Sequence, residues 1–265
     1  MKYFVFSDVH GFYSILKEEL DKKGFDVNND NHVLISIGDN FDRGNENYQM
    51  YLFIKEMKEK NKIILVKGNH EDLFLEMLYR GNPLRHDLSN GTLGTLEEFY
   101  KVFYDDDGYK NLYLFGDIYY KLRDEGILEF MDDMLDYYET EHYVFTHGFI
   151  PIAYNIDLEY DPEWRNASKE EFKRCRWVNG MERSIYNNIG INGKKIVVGH
   201  FHASYGNVRK REDIFQSTFK LRELEFENYD DMNIYEDNNV IAIDACTVLT
   251  KKINLLVIED EPLKV

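Results

Sequence analysis

Short apolar runs and amphipathic stretches alternate along the first 80 residues. Residues 3–6, 32–37 and 62–66 are nearly continuous in apolar side chains. Between them, apolar residues recur at helical spacing, as with Phe12, Ile15, Leu16 and Leu20 in residues 12–22, and again in 48–60 and 71–79. Runs of that length suit strands buried on both faces, and the periodic stretches suit helices laid over them. The chain therefore opens as a βαβαβα unit on a parallel sheet.

The alternation stops after residue 80. Residues 81–140 hold no convincing strand, whereas 95–100 and 126–138 are patterned as helices and Asp105-Asp106-Asp107-Gly108 reads as a turn. We expect a helical insertion over the sheet edge, inside a single domain spanning residues 1–265, because no repeat or low-complexity linker interrupts the chain. Residues 143–145 and 195–198 predict further strands. Residues 239–245 and 252–258 look like an apolar pair, with Thr250-Lys251 short enough for a hairpin. A parallel first half and a more antiparallel second half predict an α/β protein of two packed sheets with helices outside.

The net charge of −17 repels long polyanions, which excludes a nucleic acid polymer as partner. It leaves room for a small phosphate ester, since bound divalent cations reverse the potential locally. No run approaches the roughly 18 apolar residues of a membrane span. The N-terminal apolar stretch runs straight into Ser7-Asp8, too soon for a signal peptide, so a cytoplasmic protein away from membranes is expected. Cys175 and Cys246 have no base beside them in sequence, which argues against thiol catalysis.

Chemistry gathers where the apolar runs end. Asp8 and His10 follow the first, Asp39, Asp42 and Arg43 the second, and Asn69 and His70 the third. His147 follows a later run, and His200 and His202 another, so five of the eight histidines sit at strand ends. Any one of these residues alone would read as a turn or cap residue. Strand ends of an open α/β sheet converge on one edge, so together they predict a shared site.

Carboxylate, imidazole and amide donors without thiolate suit Mn, Fe or Zn. Asp39 lies centrally and is the natural bridge between two ions. Asp8 and His10, two apart in extended chain, can share one ion, and Asn69, His147 and His200 the other; His202 stands two after His200 and can return to the first. Two divalent ions, Mn foremost, are the expected cofactors, spaced to clamp a phosphoryl group. The planar fork of Arg43 suits phosphate oxygens, although it could be a surface ion pair. His70 could protonate a leaving alkoxide with Asp42 fixing its tautomer, or serve as one more ligand. The many tyrosines of the insertion (Tyr100, Tyr104, Tyr109, Tyr113, Tyr119, Tyr120, Tyr137, Tyr138) read as half-buried packing or as a stacking wall for an aromatic substrate.

Ser7-Asp8-Val9-His10-Gly11, Gly38-Asp39-Asn40-Phe41-Asp42-Arg43-Gly44 and Gly68-Asn69-His70-Glu71 resemble the motifs of calcineurin-like metallophosphoesterases. Within that superfamily they resemble the protein Ser/Thr phosphatase branch, which includes symmetrical diadenosine tetraphosphatases. His147-Gly148, Gly199-His200 and the closing run 242–246 extend the resemblance over the chain. It implies a four-layer α/β/β/α sandwich of two mixed sheets and phosphoester hydrolysis by a metal-bridging hydroxide. It assigns Asp8, His10 and Asp39 to one metal and Asp39, Asn69, His147 and His200 to the other, with His70–Asp42 as the acid pair and Arg43 on phosphate. Gly-His-Phe-His departs from the branch, where threonine commonly follows Gly-His, so His202 is expected as a ligand on its spacing. A second phosphate arginine is expected among Arg165, Arg174, Arg176 and Arg183, with Arg176, beside Trp177, favoured. The implied substrates are a phosphoprotein, chiefly phospho-Ser/Thr, or, as the alternative, a dinucleoside polyphosphate. A non-catalytic scaffold of the same fold is a remote third reading, because no expected ligand is missing.

Overall fold

The computed structural model describes residues 1–105, 115–152, 162–213 and 219–263. Its strands are β1 (Lys2–Phe6), β2 (His32–Ser36), β3 (Ile63–Leu65), β4 (Tyr138–Glu139), β5 (Tyr143–Phe145), β6 (Lys195–His202), β7 (Tyr235–Glu236), β8 (Val240–Asp244) and β9 (Leu256–Glu259). Its helices begin with α1 (Tyr13–Lys23), α2 (Asn47–Glu59), α3 (Asn69–Arg80), α4 (Arg85–Asn90), α5 (Thr92–Tyr104), α6 (Phe115–Asp124) and α7 (Ile127–Asp132). They continue with α8 (Lys169–Cys175), α9 (Gly180–Asn187), α10 (Ser204–Glu212), α11 (Phe219–Leu224) and α12 (Thr247–Thr250).

One sheet has the order β3-β2-β1-β9 and the other β4-β5-β6-β8-β7. β1, β2 and β3 are parallel and β9 joins β1 antiparallel. In the second sheet β5, β6 and β8 are parallel, with β4 and β7 antiparallel at the edges.

The period-two alternation of strand side chains builds the layers. Tyr3 and Val5 point one way from β1 and pack with Ile35 and Val66, and with Phe145, Val197, Ile241 and Ile243 of the other sheet. Phe4, Phe6 and Leu34 point the other way, onto Leu16, Ile54, Phe74 and Phe99 of the outer helices. Across the molecule Ile196, Val198, Val240 and Ala242 pack under Phe172, Met181 and Tyr205. The layers therefore run helix, sheet, sheet, helix, the expected α/β/β/α sandwich of two mixed sheets.

Two expectations about the second half need correction. Its central strands are parallel, because helices α8 to α10 supply the crossovers that parallel neighbours need. Nor do residues 239–245 and 252–258 form a hairpin. Thr250 and Lys251 close α12, and the chain crosses to the other sheet, where β9 covers the edge of β1. Both segments are apolar runs, and nothing local in such a run specifies its neighbour.

Within residues 81–140, α5 packs on α2 and α3, and α7 on α3. The predicted helix 126–138 stops at Asp132, and Tyr138–Glu139 is a short strand paired with β5, where no strand was expected. Of the predicted turn at 105–108, only Asp105 falls within the described residues. Tyr100 and Tyr104 pack ring on ring at 4.6 Å, while Tyr109 and Tyr113 lie outside the described residues. Among the described residues no helix is long and apolar enough to cross a membrane.

Candidate active site

The carboxyl ends of the parallel strands of both sheets meet at one edge. Asp8 and His10 follow β1, Asp39 follows β2, and Asn69 opens α3 just after β3. From the other sheet, His147 follows β5, and a register shift between Val198 and His202 turns the end of β6 so that His200 joins the cluster. The backbone is held in unusual conformations there. Asp8, His10, Asp39, Asp42, Arg43 and His200 all have positive φ, between 50° and 76°. Left-handed backbone at non-glycine residues costs about 1–3 kcal/mol each, so the surrounding packing imposes it. Gly199 shows how close that packing is. A Cβ there would collide with Ser7 Oγ and Asp8 Oδ2.

Asp39 is the hub. His147 Nε2 lies 3.3 Å from Asp39 Oδ1, and His10 Nε2 and His70 Nε2 each lie 3.8 Å from Asp39 Oδ2. Asn69 Oδ1 is 2.8 Å from His147 Nε2, and Asp8 Oδ1 is 3.9 Å from His10 Nε2. Donor atoms of His10, Asp39 and His70 form one compact group and those of Asp39, His147 and His200 another, each within 4.8 Å. Both groups share Asp39. Nearly all of these side chains are buried.

The protein's own hydrogen bonds orient the imidazoles. His10 Nδ1 donates to Phe41 O at 2.9 Å and His147 Nδ1 to Ile37 O at 2.8 Å. Each therefore turns Nε2 into the site, as metal-binding histidines require. His70 Nδ1 meets Asp42 Oδ2 at 2.6 Å, and exposed Arg43 reaches over the cluster, donating to His10 Nε2 and His70 Nε2 at 3.0 Å each.

Charge is poorly balanced in this buried space. Burial and the nearby charge of Asp244 push the Asp8 carboxyl up to about 8. Burial would raise Asp39 too, but His147 and His70 hold it well below the usual carboxylate range. Burial lowers His147, and Asp39 overrides it, lifting the imidazole to about 9. Burial and the charge of His147 press His200 down to about 3. Burial likewise depresses His70, yet Asp39 and Asp42 leave it raised. Oxygen and nitrogen donors of this kind, with carboxylates that repel one another until a cation separates them, fit divalent metal ions.

His202 and Arg176 stand apart. His202 Nε2 lies 3.8 Å from Asp244 Oδ2, at the Asp8 side of the site, and the ring is partly exposed against Phe226. Arg176 is close in backbone only, with the Trp177 ring 5.6 Å from that of His200. Its guanidinium is taken up by Asp72, at 2.7 Å, and by Asp136, so the expected second phosphate fork points elsewhere. Two half-buried carboxylates on that side hold the guanidinium more strongly than a solvent-facing position would.

Several residues escaped the sequence reading. Glu71 accepts from Asp39 N, Asn40 N, Asn40 Nδ2 and Gly68 N at 2.8–3.1 Å, clamping the loop after β2 to the start of α3. Within the helix start, its carboxylate reaches back three residues to Gly68 N, but nothing local announces the bonds to Asp39 and Asn40. Asp244 ends β8 at the same edge and takes Cys246 N, and Thr247 Oγ1 donates to Asp8 O. Thr92 and Thr95 bond Asp42 from α5, and no local pattern announces them.

A family model described as calcineurin-like phosphoesterase matches residues 1–166. The chain is 32% identical over 109 residues to the asymmetrical bis(5'-nucleosyl)-tetraphosphatase PrpE of Bacillus subtilis, covering 38% of this chain and 44% of that one. It is 37% identical over 78 residues to serine/threonine-protein phosphatase 2 of Escherichia coli, covering 29% and 33%. It thus spans less than half the length of these curated relatives. Among solved structures, a cold-active protein tyrosine phosphatase superposes with a TM-score of 0.50 at 19% identity, covering 97% of this chain and 73% of that one, and so shares the fold. A model matching well over half of the chain, on an edge where both sheets deliver their histidines and carboxylates, shows that this protein belongs to the calcineurin-like phosphoesterase family.

Proposed function

We propose that the chain is a dinuclear-metal-dependent phosphoester hydrolase, most simply a phosphoprotein phosphatase of the Ser/Thr type. The observation that carries this reading is the pair of donor groups sharing Asp39, with the Arg43 fork above them. Asp8, His10 and Asp39 would hold one ion, with His202 approaching it from the Asp8 side, and Asp39, Asn69, His147 and His200 would hold the other. Bound there, two ions such as Mn, or else Fe or Zn, supply a nucleophile from water at neutral pH and positive charge for the phosphoryl oxygens.

The chain's own groups do the rest. Arg43 turns from the two imidazoles to the phosphate oxygens, offering two parallel donors. His70 Nε2, freed of Arg43, carries the proton that Asp39 and Asp42 favour and delivers it to the leaving oxygen. Asp42 keeps the imidazole in the tautomer that makes this possible. Residues 81–140 serve as an insertion within one domain, and Arg176 stays a strut between Asp72 and Asp136. The two free, buried cysteines support a reducing, cytoplasmic setting.

A dinucleoside polyphosphatase is the second reading. Trp177, 48% exposed, and Phe201, 36% exposed, stand edge-on to His200 at 5.6 and 4.8 Å and could stack a base. The test is a substrate panel on Mn-loaded protein. Phosphate release from phosphoserine peptides is expected. Activity on diadenosine polyphosphates alone would transfer the proposal to the second reading. No stoichiometric metal and no hydrolysis at all would leave a scaffold.

A further inference from the structure

Helix α5 reaches the site with one face. Thr92, Thr95 and Glu98 are spaced by three, which puts them on the same side of the helix. Thr92 Oγ1 donates to Asp42 Oδ2 at 2.8 Å and Thr95 Oγ1 to Asp42 Oδ1 at 2.6 Å, and both threonines are fully buried. Glu98 accepts Asn47 N, Asn47 Nδ2 and Tyr48 N at 2.7–3.0 Å, and Asn47 Oδ1 accepts Asp42 N at 2.8 Å. At the start of the helix, Gly91 lies against Arg43, where a Cβ would strike the Arg43 backbone nitrogen. The loop carrying Asp42 and Arg43 is therefore gripped from three points of one helix.

Consider what this leaves Asp42. Its Oδ1 takes Thr95, and its Oδ2 takes Thr92 and the Nδ1–H of His70. Two hydroxyl donors satisfy both oxygens of this buried carboxylate and remove its freedom to rotate. We propose that Thr92 and Thr95 are positioning residues for the His70–Asp42 pair. They hold the carboxylate aimed at Nδ1, so that His70 keeps Nε2 directed into the cluster. Neither hydroxyl touches the phosphoryl group. Helix α5 thus belongs to the proton-transfer apparatus as well as to the cover of the sheet. This inference rests on the reading of His70 as the acid and adds the source of its alignment.

The test compares T92V, T95V and the double variant with T92S, T95S and D42N, all in Mn-loaded full-length chain. Valine keeps the shape and removes the hydroxyl; serine keeps the hydroxyl. Rates are read on an alkyl phosphate, whose poor leaving group needs a proton, and on an aryl phosphate of an acidic phenol, which does not. The double variant is expected to lose about 100-fold in kcat on the alkyl ester, within the usual range for general acid catalysis. It should lose far less on the aryl ester, leave KM nearly unchanged, and be matched by D42N. The serine variants are expected to stay near wild type. Independently of activity, in protein loaded with diamagnetic Zn instead of Mn, the downfield proton resonance of the His70 Nδ1–H, assigned by its absence in H70N, should shift or disappear in the valine variants. Equal losses on both esters, serine variants as impaired as valine, or an unmoved resonance would overturn the proposal. If the double variant does not fold, the single variants carry the same comparison. Wild-type rates in D42N would sink the acid reading itself, whereas an impaired D42N beside an unimpaired double variant would sink only the role of the threonines.

Discussion

His147 and Asp39 meet at 3.3 Å, although one follows a strand of the second sheet and the other a strand of the first. The contact joins the two sheets at their shared edge. It also pairs an imidazole raised to about 9 with a carboxylate held low.

Metal uptake is therefore expected to release protons. In the metal-free protein at neutral pH, His147 with a pKa of about 9 and Asp8 with one of about 8 both hold protons that a metal must displace. Because both values are raised, affinity should climb as pH rises and level off above about 9, by about tenfold per pH unit for each proton released. Calorimetric Mn titrations in buffers of different ionisation enthalpy measure the proton count. A pH-independent affinity between pH 6 and 9 would contradict the charge assignment.

Asp39→Asn should damage both metal positions at once, because both donor groups share this carboxylate. Elemental analysis is expected to fall from two ions per chain to one or none. The rate should drop by at least about a hundredfold, in keeping with the several kcal/mol that bound metals contribute to phosphoryl transfer. Two retained ions would place the bridge elsewhere.

Arg43→Lys keeps the charge and loses the fork. Arg43 spans two imidazoles, with Nη1 3.0 Å from His10 Nε2 and Nη2 3.0 Å from His70 Nε2, a geometry that a single ammonium cannot copy. KM for a phosphomonoester is expected to rise by roughly tenfold or more, the worth of one charge-assisted hydrogen bond. Unchanged KM would remove Arg43 from phosphate binding.

Glu71→Gln should cost stability before it costs chemistry. All four groups bonded to the Glu71 carboxylate are donors, and an amide nitrogen there would face a donor with a donor. A loss of about 1–3 kcal/mol is expected in urea denaturation. A variant as stable as the parent would show that the clamp contributes nothing.

Much of the site was legible before folding because each candidate donor sits directly after an apolar run. A strand end is a local feature, and parallel topology carries every such end to one edge. That reasoning expected Asp8, His10, Asp39, Asn69, His147 and His200 at one edge, and the fold delivers all six there. It failed where the outcome depended on a distant competitor. Arg176 lies beside the site in sequence terms, but Asp72 and Asp136 claim its guanidinium. Residues 252–258 look ready to pair with their neighbour, but the open edge of β1 takes β9.

What the sequence determined by itself was the inventory: which oxygen and nitrogen donors exist, and at which strand ends. What only the tertiary structure decided was the second circle of contacts, namely Thr92 and Thr95 on Asp42, Glu71 beneath the loop after β2, and Asp244 near Asp8. Periodicity records which face of an element is buried. It carries no record of which hydroxyl or carboxylate, thirty or more residues away, completes a buried hydrogen bond.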